Sequence, residues 1–183
     1  MRRIVNSTYI TLDGAIENPQ DWPSGRHEDD GRGQEIQAEL LLSCDALVLG
    51  RRTYEAFAPF WPTRSGDAYS DHINTMEKWV VSSTLTDPAW ANTTVIAGDV
   101  AEEIRRRKAQ PGGDIVQYGF GPLTRTLLEH GLLDELRLWV HPFLVGQAGP
   151  DDLLFRPGPT THMDLVATTP LASGIVILTY APA

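Results

Sequence analysis

The stretch IVQYGFGPLTRTLLEHGLLDEL, residues 115–136, decides the fold. Its first four residues form a largely apolar run that predicts a buried strand, and Gly119 and Gly121 follow that run directly. Pro122 suits the first turn of a helix, because the N–H that proline lacks would be unpaired there in any case. Gly131 is typical of a helix C-terminus. The stretch therefore predicts a strand, a tight glycine turn and a helix.

The same alternation of strands and helices organises most of the chain. Strands are predicted at residues 4–12, 46–49, 79–81, 94–96, 115–118, 135–141, 162–168 and 175–180, and helices at 35–43, 53–57, 98–109 and 122–130. Such alternation implies parallel strands with helices on both faces, whereas a turn at 172–174 joins the last two strands as an antiparallel pair. We predict one α/β domain over residues 1–183, with a mixed, mostly parallel central sheet and an antiparallel C-terminal edge.

Composition excludes several classes of protein. The chain has 183 residues and a formal net charge of -9, which would repel nucleic acid and anionic membranes unless a local basic patch overrode it. No apolar run reaches the roughly 20 residues of a membrane span, and the N-terminus continues into a strand instead of a signal peptide, so we expect a cytoplasmic protein. The histidines have no ligand spacing and the single cysteine, Cys44, ends an apolar helix. Neither a metal site nor a cysteine nucleophile is predicted.

Glycines at the carboxyl end of a buried strand have a use beyond the turn itself. In open α/β sheets, ligands bind beyond the carboxyl ends of the strands, where the next helix offers unpaired N–H groups and a partial positive charge. Gly119 and Gly121 would let the backbone approach a phosphate closely, so the turn predicts a pyrophosphate cradle. A purely structural turn is an equally good interpretation, because the third glycine of the dinucleotide fingerprint is absent.

A second buried strand, LVLG, ends in the same way at Gly50. Arg51, Arg52 and Thr53 follow at the predicted start of a helix. Guanidinium groups and a hydroxyl at this place suit a phosphate monoester such as the 2′-phosphate of NADPH. The alternative is that both arginines are solvated surface residues near Glu55.

Three hydroxyl side chains, Ser82, Ser83 and Thr84, follow the strand at 79–81. They belong to the same edge of the predicted sheet and could bind ribose or phosphate, although Ser and Thr equally often cap a helix or close a turn. Three strand ends with phosphate-compatible chemistry together favour a nucleotide site at one rim of the sheet.

Five motifs, in their order along the chain, resemble the dihydrofolate-reductase-like family, and within it the branch that contains the reductase domain of bacterial riboflavin synthesis. The motifs are YITLDG at 9–14, LGRRTYE at 49–55, VVSSTL at 80–85, GFGPL at 119–123 and GLLDEL at 131–136. The resemblance implies an NADPH-dependent reductase with a sheet of about eight strands flanked by helices, often a homodimer.

The resemblance also implies which residues hold the cofactor. The adenosine phosphates would be held by Gly50, Arg51, Arg52 and Thr53, with Ser82, Ser83 and Thr84 close to the 2′-phosphate. The pyrophosphate would be lined by Tyr118, Gly119, Phe120, Gly121, Pro122 and Leu123. Relatives usually carry a small polar residue between the two glycines, whereas this chain has Phe120. A bulky ring there could narrow the cleft or alter the cofactor preference.

Hydride transfer makes few demands on side chains: the protein aligns donor and acceptor, excludes water and supplies one proton. The sequence accordingly contains no nucleophile elbow, P-loop or paired cysteines. Asp13 is the first candidate proton donor, and the resemblance places Asp13 and Gly14 near the nicotinamide and the substrate. The alternative is that this pair only closes a turn. Glu35 and Glu39, on the following helix, are second choices for the acid.

A polar loop at residues 18–33 is unusually long for a compact domain, which suggests a function. Trp22 in this loop could stack on a planar heterocycle of the substrate, or it could simply pack the loop.

Two hypotheses for the function follow. The first is an NADPH-dependent reductase of a small nitrogen heterocycle, a pyrimidine or a pterin. The resemblance alone puts a pyrimidine like 5-amino-6-(5-phosphoribosylamino)uracil first. The second is a non-catalytic protein that binds a nucleotide or another ligand in the same cleft. In the family that the five motifs resemble, the reductase of riboflavin synthesis is frequently fused to a deaminase. The present sequence holds no zinc deaminase signature.

Overall fold

The computed structural model describes residues 1–23 and 28–183. The strands are β1 (Ile4–Thr11), β2 (Cys44–Gly50), β3 (Glu77–Val81), β4 (Thr93–Ile96), β5 (Asp114–Tyr118), β6 (Glu135–His141), β7 (Met163–Pro170) and β8 (Val176–Pro182). The helices are α1 (Arg32–Ser43), α2 (Arg51–Phe57), α3 (Ala68–Thr75), α4 (Val100–Lys108) and α5 (Pro122–Glu129). Short 3-10 turns lie at Pro19–Asp21, Trp61–Thr63 and Pro150–Asp152.

The eight strands form one sheet in the order β4-β3-β2-β5-β1-β6-β8-β7. All neighbours from β4 to β6 are parallel, and β8 is antiparallel to both β6 and β7. The predicted α/β fold with a mixed, mostly parallel sheet and an antiparallel C-terminal edge is therefore confirmed.

Helices cover both faces of this sheet. One hydrophobic cluster receives Leu41 from α1, Tyr54 from α2 and Ile73 from α3. The cluster on the opposite face receives Ile104 from α4 and Leu127 from α5. Apolar residues along β2 belong alternately to the two clusters, as expected for a strand that is buried on both sides. The central strands are therefore covered on both faces, and their ends remain open to a ligand.

Helix α3 lies in an aromatic and polar stretch, residues 60–76, to which the sequence analysis assigned no element. Asp67 caps the helix: its carboxylate accepts hydrogen bonds from Ser70 N at 2.9 Å and Ser70 Oγ at 2.7 Å. The buried residues of α3 are only Ser70 and Ile73. A helix with one buried apolar side chain shows no apolar period, so the cap was the only signal available.

The start of α1 also differs from the prediction, because the helix begins at Arg32 instead of Glu35. Gly31 precedes it with a φ of 80°, a left-handed conformation that glycine adopts readily.

Within the described ranges, no helix has both the length and the apolar character needed to cross a membrane.

Candidate active site

A crevice lies at the carboxyl ends of β2 and β5, which are adjacent parallel strands. The chain leaves β2 into α2 on one face of the sheet and leaves β5 into α5 on the other face. Open α/β sheets bind their ligands at such a switch in direction. A Cβ atom built on Gly119 would lie 3.3 Å from Thr53 Oγ1, so the two strand ends are in contact. The two glycine motifs therefore meet at one crevice, as the sequence predicted.

The glycines of the crevice differ in why they are needed. Gly119 has a φ of 77°, in the left-handed region that favours glycine. Gly50 and Gly121 have ordinary φ values of -72° and -134°, and nothing in the described chain lies within 4 Å of a Cβ atom built on either residue. Neither a left-handed backbone nor a packing contact requires glycine at these two positions, which are the N-caps of α2 and α5. The close approach of a ligand to the backbone would explain both.

Hydrogen bonds from two side chains fix the turn between β5 and α5. Asn6 Nδ2 donates a hydrogen bond to Gly119 O at 2.8 Å, and Arg156 Nη2 donates to Phe120 O at 3.2 Å. Phe120 itself is 9% exposed and belongs to the hydrophobic cluster on the α5 face. The ring therefore anchors the turn in the core and does not narrow the crevice, which corrects the expectation from sequence.

Helix α5 starts at Pro122, as predicted. Leu123 is buried in the cluster on the α5 face. Its side chain therefore packs in the core, and mainly its backbone can contact a ligand in the crevice. Gly121 N–H makes only a long hydrogen bond, 3.4 Å, to Thr124 Oγ1. The first turn of α5 thus keeps backbone N–H capacity for an anion.

An open cleft of about 430 Å³ lies at the ends of β2 and β3. Its lining residues are Arg51, Val81, Ser82, Ser83, Thr84, Ile96, Ala97 and Val100. Arg51 donates from Nη1 to Thr84 Oγ1 at 2.5 Å and from Nε to Glu55 Oε1 at 2.7 Å. Ser82 Oγ accepts the N–H groups of Thr84 and Leu85, so this hydroxyl closes a turn. The sequence predicted that Arg51 lies close to the hydroxyl side chains that follow β3, and the cleft brings them together. We term Arg51, Ser82, Ser83 and Thr84 the arginine rim.

Arg52 and Thr53 lie outside this rim. The Arg52 side chain is 69% exposed, and its Nη1 atom is 3.8 Å from Glu17 Oε1. Thr53 Oγ1 makes a long hydrogen bond of 3.5 Å to Tyr118 O and forms part of the crevice wall. A role for either residue in cofactor binding stays a prediction.

Asp13 closes the loop that follows β1. Its carboxylate accepts hydrogen bonds from Thr11 Oγ1 at 2.5 Å, Gly146 N at 2.8 Å and Val145 N at 3.2 Å. These bonds, that of Thr11 first, lower the pKa of Asp13 to about 2. Gly14, with a φ of 86°, completes the turn by donating from N to Thr11 O. Because an ionised carboxylate has no proton to give, the contacts favour turn closure, and the catalytic role of Asp13 stays a prediction.

The second-choice acids, Glu35 and Glu39, lie on the solvent side of α1. Both carboxylates pair with Arg32 Nη1, at 3.0 Å and 3.3 Å, and their side chains are 63% and 65% exposed. Neither contact brings these carboxylates to the crevice. The structure gives no support to either as the proton donor.

Trp22 packs its loop against the end of β6. Its Nε1 atom donates to Glu17 O at 3.1 Å, and its ring meets the His141 ring edge-to-face at 5.2 Å between centroids. This is the packing alternative weighed for Trp22, and stacking on a substrate stays a prediction. Part of the same loop, residues 24–27 with His27, lies outside the described residues.

A group of side chains that the sequence analysis did not assemble lies on the face that carries α1 and α3. Tyr69 Oη and Tyr118 Oη are 3.1 Å apart, and Gln37 Nε2 donates to Tyr9 Oη at 3.2 Å. Ser7 pairs with Tyr118 across β1 and β5, so Tyr9, two residues further along β1, projects from the same face. We term Tyr9, Gln37, Tyr69 and Tyr118 the tyrosine floor.

The phenols of the tyrosine floor are neutral hydrogen-bonding groups. Burial is the first cause that raises the pKa of Tyr9, Tyr69 and Tyr118. Tyr69 raises the pKa of Tyr118 further, whereas the hydrogen bond with Tyr118 lowers that of Tyr69 in part. One sequence signal could have found this group. Strand β1 reads IVNSTYIT and is buried on both faces, yet it carries four polar or hydroxyl-bearing residues in a row, which need partners when buried.

Other kinds of chemistry find little support in the described residues. In residues 1–23 and 28–183, no group of three or more His, Cys, Asp and Glu side chains is arranged to hold a metal ion. Cys44 is buried, and burial raises the pKa of its thiol to about 11. A thiol of this kind is a poor nucleophile.

Comparison with known proteins finds relatives in sequence and in structure. The uncharacterized protein YyaP of Bacillus subtilis (strain 168) is 27% identical over 184 residues, which cover 98% of this chain and 94% of that protein. A crystal structure described as a putative riboflavin biosynthesis protein from Shewanella sp. PV-4 superposes with a TM-score of 0.72 at 21% identity, covering 100% of this chain and 99% of that one.

A third similar protein has a more specific description. The diaminohydroxyphosphoribosylaminopyrimidine deaminase/5-amino-6-(5-phosphoribosylamino)uracil reductase of Thermotoga maritima superposes with a TM-score of 0.65 at 13% identity, covering 100% of this chain but 57% of that one. At this identity the likeness shows the fold alone.

The family itself follows from the sequence. Residues 2–177 match the RibD C-terminal domain, which is almost the whole chain. The resemblance inferred from the five motifs is thereby confirmed. The chain belongs to the RibD C-terminal domain family.

Proposed function

We propose that this chain is an NADPH-dependent reductase that delivers hydride to a C=N or C=O bond of a small nitrogen heterocycle. The observation that carries the proposal is the pair of open glycines, Gly50 and Gly121, at adjacent strand ends of a RibD C-terminal domain. Open space over backbone at a strand-to-helix turn suits the pyrophosphate of an extended dinucleotide.

The chemistry along the crevice fits such a dinucleotide in linear order. Arg51, Ser83 and Thr84 at the ends of β2 and β3 offer a guanidinium and hydroxyls to a phosphate monoester. Gly121 and the first turn of α5, next along the sheet, offer N–H groups to the pyrophosphate. The tyrosine floor lies beyond them at β5 and β1, where uncharged, enclosed side chains suit a ring. When bound, NADPH would supply the hydride.

The substrate class is part of the proposal and derives from the family. The Thermotoga maritima protein, of which this chain covers 57%, is described as a 5-amino-6-(5-phosphoribosylamino)uracil reductase as well as a deaminase. A pterin presents ring C=N bonds, and the phosphoribosylamino group of such a pyrimidine presents a C=N or C=O bond when its sugar ring opens. We assign this chain that class of substrate.

A non-catalytic binding protein on the same fold is the second candidate. One observation favours it: the carboxylate of Asp13, the acid first suggested by the sequence, is held ionised by three hydrogen bonds. A crevice that binds the cofactor without a usable proton donor would not reduce a ring.

Calorimetric titration with NADPH and NADH tests the cofactor. We expect NADPH to bind at least about tenfold more tightly, because a charge-assisted hydrogen bond to the 2′-phosphate contributes about 1.5–3 kcal/mol. Arg51→Ala should remove most of this selectivity. Arg106→Ala is the matched control, since Arg106 is exposed and pairs with Glu103 within α4, and it should change neither affinity.

The outcomes separate the candidates. Equal affinity for the two nucleotides would contradict the 2′-phosphate assignment, and no binding of either would contradict the reductase. Tight NADPH binding without oxidation of NADPH in the presence of 5-amino-6-(5-phosphoribosylamino)uracil or a dihydropterin would favour the non-catalytic binding protein.

A cytoplasmic homodimer belongs to the same proposal. The outer strand β7 carries two exposed apolar side chains, Leu165 at 57% and Val166 at 62%. Apolar residues on an outer strand favour association with a second copy. Sedimentation of the wild type as a dimer and of Val166→Lys as a monomer would support this assembly, and a monomeric wild type would exclude it. The cytoplasm is where reduced nicotinamide cofactors are available.

A further inference from the structure

A directed chain of hydrogen bonds runs from β6 to Tyr9. The Trp139 Nε1 group can only donate, and it donates to Ser7 Oγ at 3.0 Å. Ser7 then uses its own hydrogen for Gln37 Oε1 at 3.3 Å. Because its oxygen is engaged there, Gln37 presents Nε2 to Tyr9 Oη at 3.2 Å. The phenol oxygen of Tyr9 is therefore an acceptor in this chain, and its own hydrogen is left to donate.

Nothing in residues 1–23 and 28–183 takes up that hydrogen, since the bond from Gln37 is the only one that Tyr9 Oη makes there. The Tyr9 ring is also fixed in place. It packs against Trp139 with 5.6 Å between centroids and against His141 with 5.1 Å. A rigid phenol with an unused O–H in a half-buried site is preorganised to donate to a ligand.

The position of this donor matches the chemistry of the crevice. Gly119 N–H donates to Ser7 O at 3.4 Å, so the glycine turn touches β1 directly. Tyr9 is the next residue of β1 that projects from the same face as Ser7. Tyr9 therefore lies beside the turn to which we assign the pyrophosphate, on the side away from the arginine rim.

We propose that Tyr9 donates the proton in the reduction, and that Gln37 and Ser7 are positioning residues that keep its O–H available; this inference rests on the proposed function. Addition of hydride to the carbon of a C=N or C=O bond breaks the π bond and leaves its electron pair on nitrogen or oxygen. That atom takes the proton of Tyr9 as the reduced nicotinamide is oxidised. The tyrosinate regains a proton from water once the product leaves.

The surroundings of Tyr9 suit a neutral donor. The titratable groups around it are Tyr69 and Tyr118 of the floor and His141, whose pKa is lowered by burial. Burial raises the pKa of Tyr9, so the phenol keeps its proton at neutral pH. Phe57 adds a ring 5.7 Å from that of Tyr118. The ligand that fits this site is an uncharged planar ring that bears a carbonyl or an imine.

Two probes test the proposal on the full chain. Lumazine, a fluorescent and uncharged pteridinedione, reports ring binding, and NADPH oxidation with 5-amino-6-(5-phosphoribosylamino)uracil reports turnover. In Tyr9→Phe we expect lumazine affinity to fall about tenfold and turnover to fall about 100-fold or more, because general acid catalysis contributes about 10²–10⁴-fold. NADPH affinity should not change. The residual rate should fall as the pH rises, since the proton must then come from solvent.

Gln37→Glu tests the direction of the hydrogen-bond chain. A carboxylate oxygen in place of the amide would accept the Tyr9 hydrogen, so turnover should drop at neutral pH and recover as the new carboxyl group is protonated at lower pH. A merely structural role for residue 37 would not produce this pH profile. Tyr180→Phe on β8, a half-buried tyrosine, is the matched control and should leave all three readouts unchanged.

Wild-type turnover and wild-type lumazine affinity in Tyr9→Phe would overturn the proposal. Failure of lumazine to bind the wild-type protein would also overturn it, because the site would then not accept an uncharged ring. Failure of NADPH to bind would instead refute the proposed function. Lumazine binding measured without cofactor would still decide whether Tyr9 donates to a ring.

Discussion

The arginine rim, at the ends of β2 and β3, and the tyrosine floor, at β5 and β1, are built in opposite ways. At the rim, the charge of Arg51 sits on a side chain that is 51% exposed and already hydrogen-bonded to Thr84. At the floor, Tyr9 and Tyr118 are neutral and half-buried among other rings. An exposed charge attracts an anion but is screened by salt, whereas an enclosed neutral donor depends on the orientation of its hydrogen bond. If the two proposals hold, substitutions at the rim should disrupt cofactor binding and substitutions at the floor should disrupt proton delivery.

The largest effect should come from filling the space between these two ends. Gly121→Val puts an isopropyl group where nothing of the described chain lies within 4 Å of the new Cβ, so the thermal midpoint should hardly change. NADPH affinity should fall about 100-fold or more, because the pyrophosphate loses several charge-assisted hydrogen bonds. Calorimetry and thermal unfolding measure the two quantities.

The control for this variant lies in the same turn. Gly119→Ala should destabilise the fold by about 1 kcal/mol or more, because the φ of residue 119 is 77° and the new Cβ would lie 3.3 Å from Thr53 Oγ1. Unchanged NADPH affinity in Gly121→Val would refute the assignment of this turn to the pyrophosphate.

Added salt should weaken ligand binding at the arginine rim more than at the tyrosine floor, and the change in affinity should be smaller than that in Gly121→Val. Raising NaCl from about 0.05 M to 0.5 M should weaken NADPH binding about tenfold, because exposed charges are screened over a few ångströms at high salt. Lumazine binding at the floor should change less than about twofold, because neither partner is charged. Parallel salt dependences of the two ligands would remove the distinction between the two ends.

The smallest effect is expected for Asp13. We expect Asp13→Asn to keep turnover within about threefold of wild type at neutral pH, since a group held ionised is not the proton donor. The folded-state pKa of about 2 lies below the ordinary value of an aspartate, so the ionised carboxylate adds stability at pH values above that ordinary value. This contribution disappears as the pH falls towards the folded-state value.

Thermal unfolding of wild type and Asp13→Asn across acidic pH measures the stability difference, which should vanish at the acid end. A loss of turnover in Asp13→Asn as large as that expected for Tyr9→Phe would restore Asp13 as the proton donor.

Local sequence was enough to predict the strand ends and the rim. Gly50 and Gly121 follow apolar runs and precede helices, and the edge at which parallel strands end is fixed by the fold class. Arg51 and Arg52 could not be told apart, because adjacent helix residues point about 100° apart and the phase of α2 was unknown. Arg51 meets Thr84, whereas Arg52 faces Glu17.

The floor could not be predicted in the same way, because its members come from four separate elements. Tyr9 and Gln37 meet only because α1 packs over β1, and Tyr69 lies on α3, a helix whose sequence carries no apolar period. The direction of the hydrogen-bond chain further depends on Trp139, which lies 132 positions from its partner Ser7. Contacts this distant follow from packing, which no local motif encodes.

The buried ring of Phe120 has a consequence for how the crevice meets its ligand. With Phe120 in the core and Asn6 bonded to Gly119 O, contacts of the chain itself hold the glycine turn in its shape. Little backbone freedom is then lost on association, so the entropic penalty of ordering a loop is avoided. Cofactor capture at this turn should proceed by docking onto a preformed surface rather than by folding of the turn around its guest.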